Sequence, residues 1–277
     1  MSGGPFFQLQ GSPKQLTNRE GSMVLWPSRR RLVPRSRRLV CDLIHFGRQV
    51  PLFPLERSCG LGDLAELRQS TPCRISWPVL FLKAYGLVAM EYPQLRQAYL
   101  GWPWPHLYEH PHNVAMLAVN RSDGEGDRLY WGRFPQPELR TLTELQIKLD
   151  WYKTGPTRSV FATQRRLSRA PTPLRRLAWW LTLNLSGDMR ARRLGTFGLS
   201  TLAGNGAVNR CHPTCLSTSL TYGPIDPSGQ MLVTLLYDHR IADGNCVAGA
   251  LADLEAILRG PITGELKSLY DCKPACA

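Results

Sequence analysis

The sequence predicts an α/β or α+β sandwich, one sheet packed against helices, and three observations carry that expectation. Helix-like and strand-like stretches mingle along a single chain, with no internal repeat and no heptads. One stretch, Trp77 to Glu91, is nearly all apolar over the length of a helix. Three strand-like runs then crowd residues 195–237, and a helical pattern follows directly.

Taken in order, residues 1–30 are rich in Gly, Ser, Pro and Gln and read as a flexible N-terminal arm, with Met1 and Met23 both open as the start. A cluster of six arginines occupies 29–38. From Leu39 a helical pattern begins, with Leu39, Val40, Leu43 and Ile44 on one face. Pro51 and Pro54 end it, and extended structure is expected next. Asp63 is placed to cap a short helix through Leu67. The buried helix from Trp77 carries Pro78 in its first turn and stops at Pro93. Trp102-Pro-Trp-Pro is a rigid loop, Asn113 to Val119 a buried strand and Asp123-Gly124 a turn. Leu142, Leu145, Leu149 and Tyr152 mark an amphipathic helix. The three later strand runs are Gly195 to Thr201, Leu216 to Tyr222 and Gln230 to Tyr237, separated by bends at Ala203–Gly206 and Pro224–Gly229. A last helix, Asn245 to Leu258, is expected to end at Gly260-Pro261.

The composition is that of a globular chain: 277 residues, 43% hydrophobic and 20% charged. The formal net charge of +13 favours anionic partners, whether nucleic acid, a lipid surface or a phosphorylated cofactor, without choosing among them. The eight cysteines form no CxxC pair, and no metal site is expected from them. No basic stretch followed by an apolar one opens the chain, so no signal peptide is read and the thiols suit a cytoplasmic setting. No apolar run is long enough to span a bilayer.

Residues 158–193 differ from the rest, with nine arginines and one acid, Asp188. Leu174, Leu177, Leu181 and Leu185 form a stripe beside Trp179 and Trp180. One reading is a solvated arginine face over a leucine stripe packed on the domain. Three sharper readings are a grip on coenzyme A phosphates, contact with an anionic membrane through the tryptophans, and contact with nucleic acid. No nucleic-acid-binding motif supports the last, and none is expected. His106, His110 and His112 sit in a Pro-rich stretch without acid or cysteine at ligand spacing, so loop packing is expected of them.

The segment richest in chemistry is Tyr237-Asp-His-Arg-Ile-Ala-Asp-Gly244, where a strand pattern stops and a helix pattern starts. A neutral imidazole there can take a proton from a thiol or hydroxyl near neutral pH. An acid four residues on, at the helix start, can organise the turn or pair with an arginine. Gly244 would allow close backbone approach. Cys246 lies near in sequence but belongs to the helix and reads as a core residue.

Asp238-His239-Arg240-Ile-Ala-Asp243-Gly244 resembles the DHRxxDG signature of the catalytic domain of dihydrolipoamide acyltransferases, the cores of 2-oxoacid dehydrogenase complexes. The related chloramphenicol acetyltransferases carry a looser HxxxDG. Three further stretches match in order. Gly195-Thr-Phe-Gly-Leu-Ser200-Thr-Leu-Ala-Gly204 is similar to the family's GTFTISNLG strand, Leu220-Thr-Tyr-Gly-Pro-Ile225 to a later strand, and Lys83-Ala84 with Glu91-Tyr-Pro93 to a buried helix.

This resemblance, over roughly residues 35–262, implies an α/β two-layer sandwich of the chloramphenicol acetyltransferase kind, assembled as a trimer with catalytic centres between subunits. It implies an acyltransferase domain over 31–265 with the basic stretch 158–193 inserted, and a C-terminal tail over 266–277. By position, His239 would be the general base, Ser200 would bond the oxyanion, and Asp243 would hold the loop through an arginine, with Arg35, Arg37 and Arg38 as candidates. Coenzyme A or its thioester is the implied substrate, with a thiol or hydroxyl acceptor and no covalent cofactor. The lipoyl and subunit-binding domains of the complex subunits are absent from these residues, and Leu129 to Pro135 departs from the family's VPVI segment. The second reading is a non-catalytic trimeric scaffold, or a basic membrane- or partner-binding module on the same fold.

Overall fold

Alternation along the strands decides which residues enter the core. In β4 (Val114–Ser122), Ala115, Leu117 and Val119 point one way, and Met116 and Ala118 the other. The same rule separates Phe197 and Leu199 from Gly198 in β6 (Phe197–Leu199). The computed structural model describes residues 29–72, 74–122 and 126–271, so the expected arm lies almost wholly outside the described residues, as does the Asp123-Gly124 turn. The compact unit begins at Pro34.

One six-stranded mixed sheet runs in the order β1-β8-β7-β6-β4-β5. Its other strands are β1 (Leu52–Gly60), β5 (Asp127–Pro135), β7 (Thr218–Ile225) and β8 (Gln230–Asp238). β6 runs parallel to β4 and β7, and the remaining pairs are antiparallel. The expected Trp102 loop is the tip of a hairpin, β2 (Gln97–Leu100) and β3 (His106–Glu109). Gly195, at φ +86°, feeds the chain into β6, where a Cβ would stand 2.4 Å from the Met116 side chain.

The first face of the sheet packs on α3 (Trp77–Glu91) and α9 (Gly244–Ile257), with α2 (Gly62–Ser70), α4 (Leu142–Thr154) and α10 (Thr263–Asp271) alongside. The α3 boundaries match the sequence reading, because an apolar helix framed by Pro78 and Pro93 leaves little choice. Thr141 and Glu144 cap α4 reciprocally. Asp63 sits in the first turn of α2, where its charge suits the helix dipole, but it makes no capping bond.

Gly260-Pro261 does not end the last helix. Residues Leu258–Ile262 form one wider π turn, and the chain continues as α10 with Leu266 buried, so the expected tail is partly core. Glu265 ties this end down by pairing with Lys83 and accepting the Leu142 N–H.

The second face lies under α1 (Arg35–Gly47), α5 (Thr157–Val160), α6 (Ala162–Arg169), α7 (Thr172–Asn184) and α8 (Gly187–Leu194). α1 starts four residues before the apolar pattern and buries Asp42 with Leu39, Leu43 and Phe46. In α7 the orientation is the reverse of the packed-stripe reading. Leu174, Leu177 and Leu185 are exposed, while Arg175, Trp179 and Thr182 face inward. The cause is a buried pair: the Arg175 guanidinium donates to both Asp42 carboxylate oxygens at 2.6 and 3.2 Å. Turning α7 round would leave Asp42 buried and alone, a cost of several kcal/mol.

Candidate active site

His239 follows β8 in a tight turn whose anchor is its neighbour Asp238. The Asp238 carboxylate is buried and takes Nε and Nη2 of Arg240, the latter at 2.6 Å, and the Arg240 backbone N–H at 3.0 Å. Its own N–H bonds Ser217 O, and its carbonyl accepts from Ile241 and Ala242. The Arg240 guanidinium lies 4.0 Å over the Tyr99 ring of the hairpin. Side chains on either side of the histidine therefore fix the turn and turn the imidazole outward. The ring is half exposed, edge-on to Phe53 and tilted on Tyr237, both at 5.4 Å between centroids.

Asp243 Oδ1 stands 3.7 Å from His239 Nδ1, and its side chain is 88% exposed. Among the described residues its ion pair is with this histidine and not with Arg35, Arg37 or Arg38. Gly244 is not crowded: a Cβ there would meet only the Tyr237 hydroxyl, at 3.7 Å. Cys246 is half-buried against the core, and burial, then Asp243, raises its thiol pKa, which argues against a thiolate there.

Ser200 leaves β6 with its N–H bonded to Leu220 O at 3.1 Å, and it borders a cavity of about 710 Å³ under the helical roof. The structure does not bring Ser200 and His239 together within one chain. Leu199, Leu220 and Leu235 are level across the sheet. Ser200 lies one residue beyond that level, and His239 four residues beyond it in the opposite direction. Five residues of strand at about 3.3 Å each separate them by roughly 16 Å along the sheet alone.

Asp238 and Arg240 acquire a role only in the structure, although their D-x-R spacing around a histidine is visible in the sequence, and so does His212. That ring lines the cavity, with Nε2 2.7 Å from Ser219 Oγ. Burial pushes its pKa down to about 4, so it is neutral at pH 7. His110 is buried between Arg96 and Arg190 and is likewise lowered to about 4 by burial, then by Arg190. Packing, as expected, describes it. Among the described residues no group of acid, histidine and cysteine side chains comes together to hold a metal ion.

No protein-family model matches the chain, and no curated protein matches it. Solved structures do. A probable dihydrolipoamide acetyltransferase from Listeria monocytogenes superposes with a TM-score of 0.59 at 14% identity, over 90% of this chain and 99% of that one. The chain shares the dihydrolipoamide acyltransferase fold. A truncated catalytic core of the 2-oxoacid dehydrogenase multienzyme complex from Thermoplasma acidophilum gives a TM-score of 0.62 at 13% identity, over 84% and 99%. The dihydrolipoamide acetyltransferase of Azotobacter vinelandii gives 0.58 at 17%, over 87% and 94%. In that protein a serine, a histidine and an asparagine four residues after the histidine were investigated for roles in the catalytic mechanism.

Among the described residues no helix is long and apolar enough to cross a membrane.

Proposed function

We propose that the chain is an acyltransferase that moves an acyl group from a coenzyme A thioester to a thiol or hydroxyl acceptor, with His239 as general base. The observation that carries this reading is the turn at the end of β8: the buried Asp238 carboxylate, clamping Arg240, presents one open imidazole and has no other evident use. The ring takes the acceptor's proton as the acceptor attacks the thioester carbonyl, and returns it to the departing thiolate. Ser200 donates to the oxyanion of the tetrahedral intermediate, a bond of the kind worth about 3 kcal/mol. Asp243 steadies the imidazolium that forms, at the spacing at which the Azotobacter protein has its asparagine. Arg133, Arg192 and Arg193 line the cavity, are exposed, and suit the phosphates of coenzyme A.

Because His239 and Ser200 stand apart in one chain, the working site joins His239 of one copy to Ser200 of the next, as in a trimer. A complementation test follows. His239→Ala and Ser200→Ala should each lose thioester consumption, the first by about 10²–10⁴ in rate. Mixed oligomers carrying both variants should regain a fraction of it. Full activity of His239→Ala would overturn the base, and no recovery in mixed oligomers would overturn the shared site. If the wild-type chain consumes no acyl thioester from a panel of donors, the scaffold reading takes its place.

A second reading concerns where the chain works. The outward face of α7 presents Leu174, Leu177, Leu185 and Trp180, with Trp102 edge-on to Trp180 at 6.3 Å, and six of the segment's arginines are exposed. Such a face suits an anionic membrane. Liposome sedimentation should weaken with salt and with Leu177→Glu, and binding indifferent to salt would rule out the electrostatic form.

A further inference from the structure

We infer that the cavity between the sheet and α6–α8 is a pocket for the hydrocarbon of a long-chain acyl group whose carbonyl lies at Ser200. The inference rests on the acyl-transfer reading and names its substrate class. At about 710 Å³ the cavity falls within the range of roughly 300–1,000 Å³ typical of ligand sites, and an acetyl group would leave nearly all of it empty. Its walls are mostly apolar, with Leu43, Met116, Trp131, Leu167, Trp179 and Leu194 among them. The polar groups include Ser200 and the His212–Ser219 pair on the floor, and the charged ones are Arg133, Arg192 and Arg193. An apolar body with a few placed hydroxyls and three arginines fits an acyl chain, its thioester carbonyl and the phosphates carried with it better than it fits a sugar.

The void is held open rather than left by loose packing. Arg175 pins α7 to Asp42 of α1. Arg190 of α8 is buried and donates to Tyr99 O and Cys215 O, at 3.0 and 2.8 Å. Gln164 of α6 bonds both the N–H and the C=O of Trp131 on the edge strand β5, much as a neighbouring strand would. These polar ties fix the spacing of the roof, so the helices cannot sink onto the floor to recover the contacts a void forfeits. In the floor, Gly198 is required where it stands, since a Cβ there would come within 2.4 Å of Ser219 Oγ.

The test is displacement of the fluorescent fatty acid cis-parinarate from the full chain by palmitate, octanoate and acetate. Affinity should rise from acetate to palmitate by about fourfold per added methylene until the pocket fills. Ala178→Phe and Ala118→Leu each put bulk on the cavity wall, and at least one should fold with a normal melting temperature. Either should weaken palmitate by at least about tenfold, since the bulk displaces several methylenes. Equal, weak competition by all three acids would overturn the pocket, and so would two folded variants that bind palmitate as the wild type does. Palmitate binding without transfer from any thioester would sink the catalytic reading and spare the pocket. Transfer from acetyl-CoA without palmitate binding would do the reverse.

Discussion

The two faces of the sheet are built by opposite means. Against α3 and α9 the contact is almost wholly apolar, with Phe81 stacked on Tyr222 at 4.3 Å and Leu251 and Val233 buried beside them. Under α6–α8 the apolar cluster is small, Leu43, Phe46, Trp179 and Cys215, and buried arginines do much of the joining. Apolar contact is non-directional and closes every gap it can. A charge pair instead sets a distance, and a distance can leave room. The difference separates a face that stabilises the domain from a face that can receive something.

The largest effects would come from breaking each face at its strongest point. Phe81→Ala should cost about 3–5 kcal/mol by cavity formation. Asp42→Ala should cost a similar amount, about 3–5 kcal/mol, by stranding the Arg175 charge. Denaturant unfolding would report both, and a second change would tell them apart. Pairing Asp42→Leu with Arg175→Met should recover most of the loss, because an apolar pair can replace a buried ion pair. If the double variant stays as unstable as Asp42→Ala, the ion pair is doing more than fill space.

A smaller effect belongs to the cavity side alone. His212 titrates at about 4 when folded against an ordinary 6.5, so the unfolded chain binds the extra proton first. Stability is then complete above pH 6.5 and falls as the pH drops towards 4, by up to about 3 kcal/mol from this group. His110 has the same sign and window. His212→Gln should flatten the decline in part, leaving the share of His110. An unchanged slope in that variant would show that the ring is solvated. The smallest effect is expected outside both faces: Leu177→Ser, on the exposed side of α7, should change stability by no more than about 0.5 kcal/mol. A larger loss would mean that this stripe is covered in the assembled protein.

The same contrast explains what could be read beforehand. The α3 helix was legible to the residue, and the junction of β8 and α9 around His239 to within one residue on each side, because proline framing and a strand-to-helix change of period are local signals. The hairpin at Trp102 was missed because each of its strands is only four residues long, too short for an alternation to stand out beside a proline-rich tip. The packed-stripe reading put α7 back to front, since four leucines at helical spacing argue for burial until an acid from a distant helix claims the arginine between them. Asp238 and Arg240 stood in the motif unread, because two opposite charges two residues apart announce no geometry until the carboxylate is buried.

The sequence by itself determined the α/β character and the buried helix, which are written in neighbouring residues, while the candidate trio of His239, Asp243 and Ser200 came from the resemblance of its motifs to a family. Only the tertiary structure decided that Ser200 and His239 face opposite ends of one sheet, that three arginines turn inward, and that a cavity opens beneath them. The reason is physical. Period and capping act over a few residues, whereas the partner that makes it tolerable to bury a charge can come from anywhere in the chain.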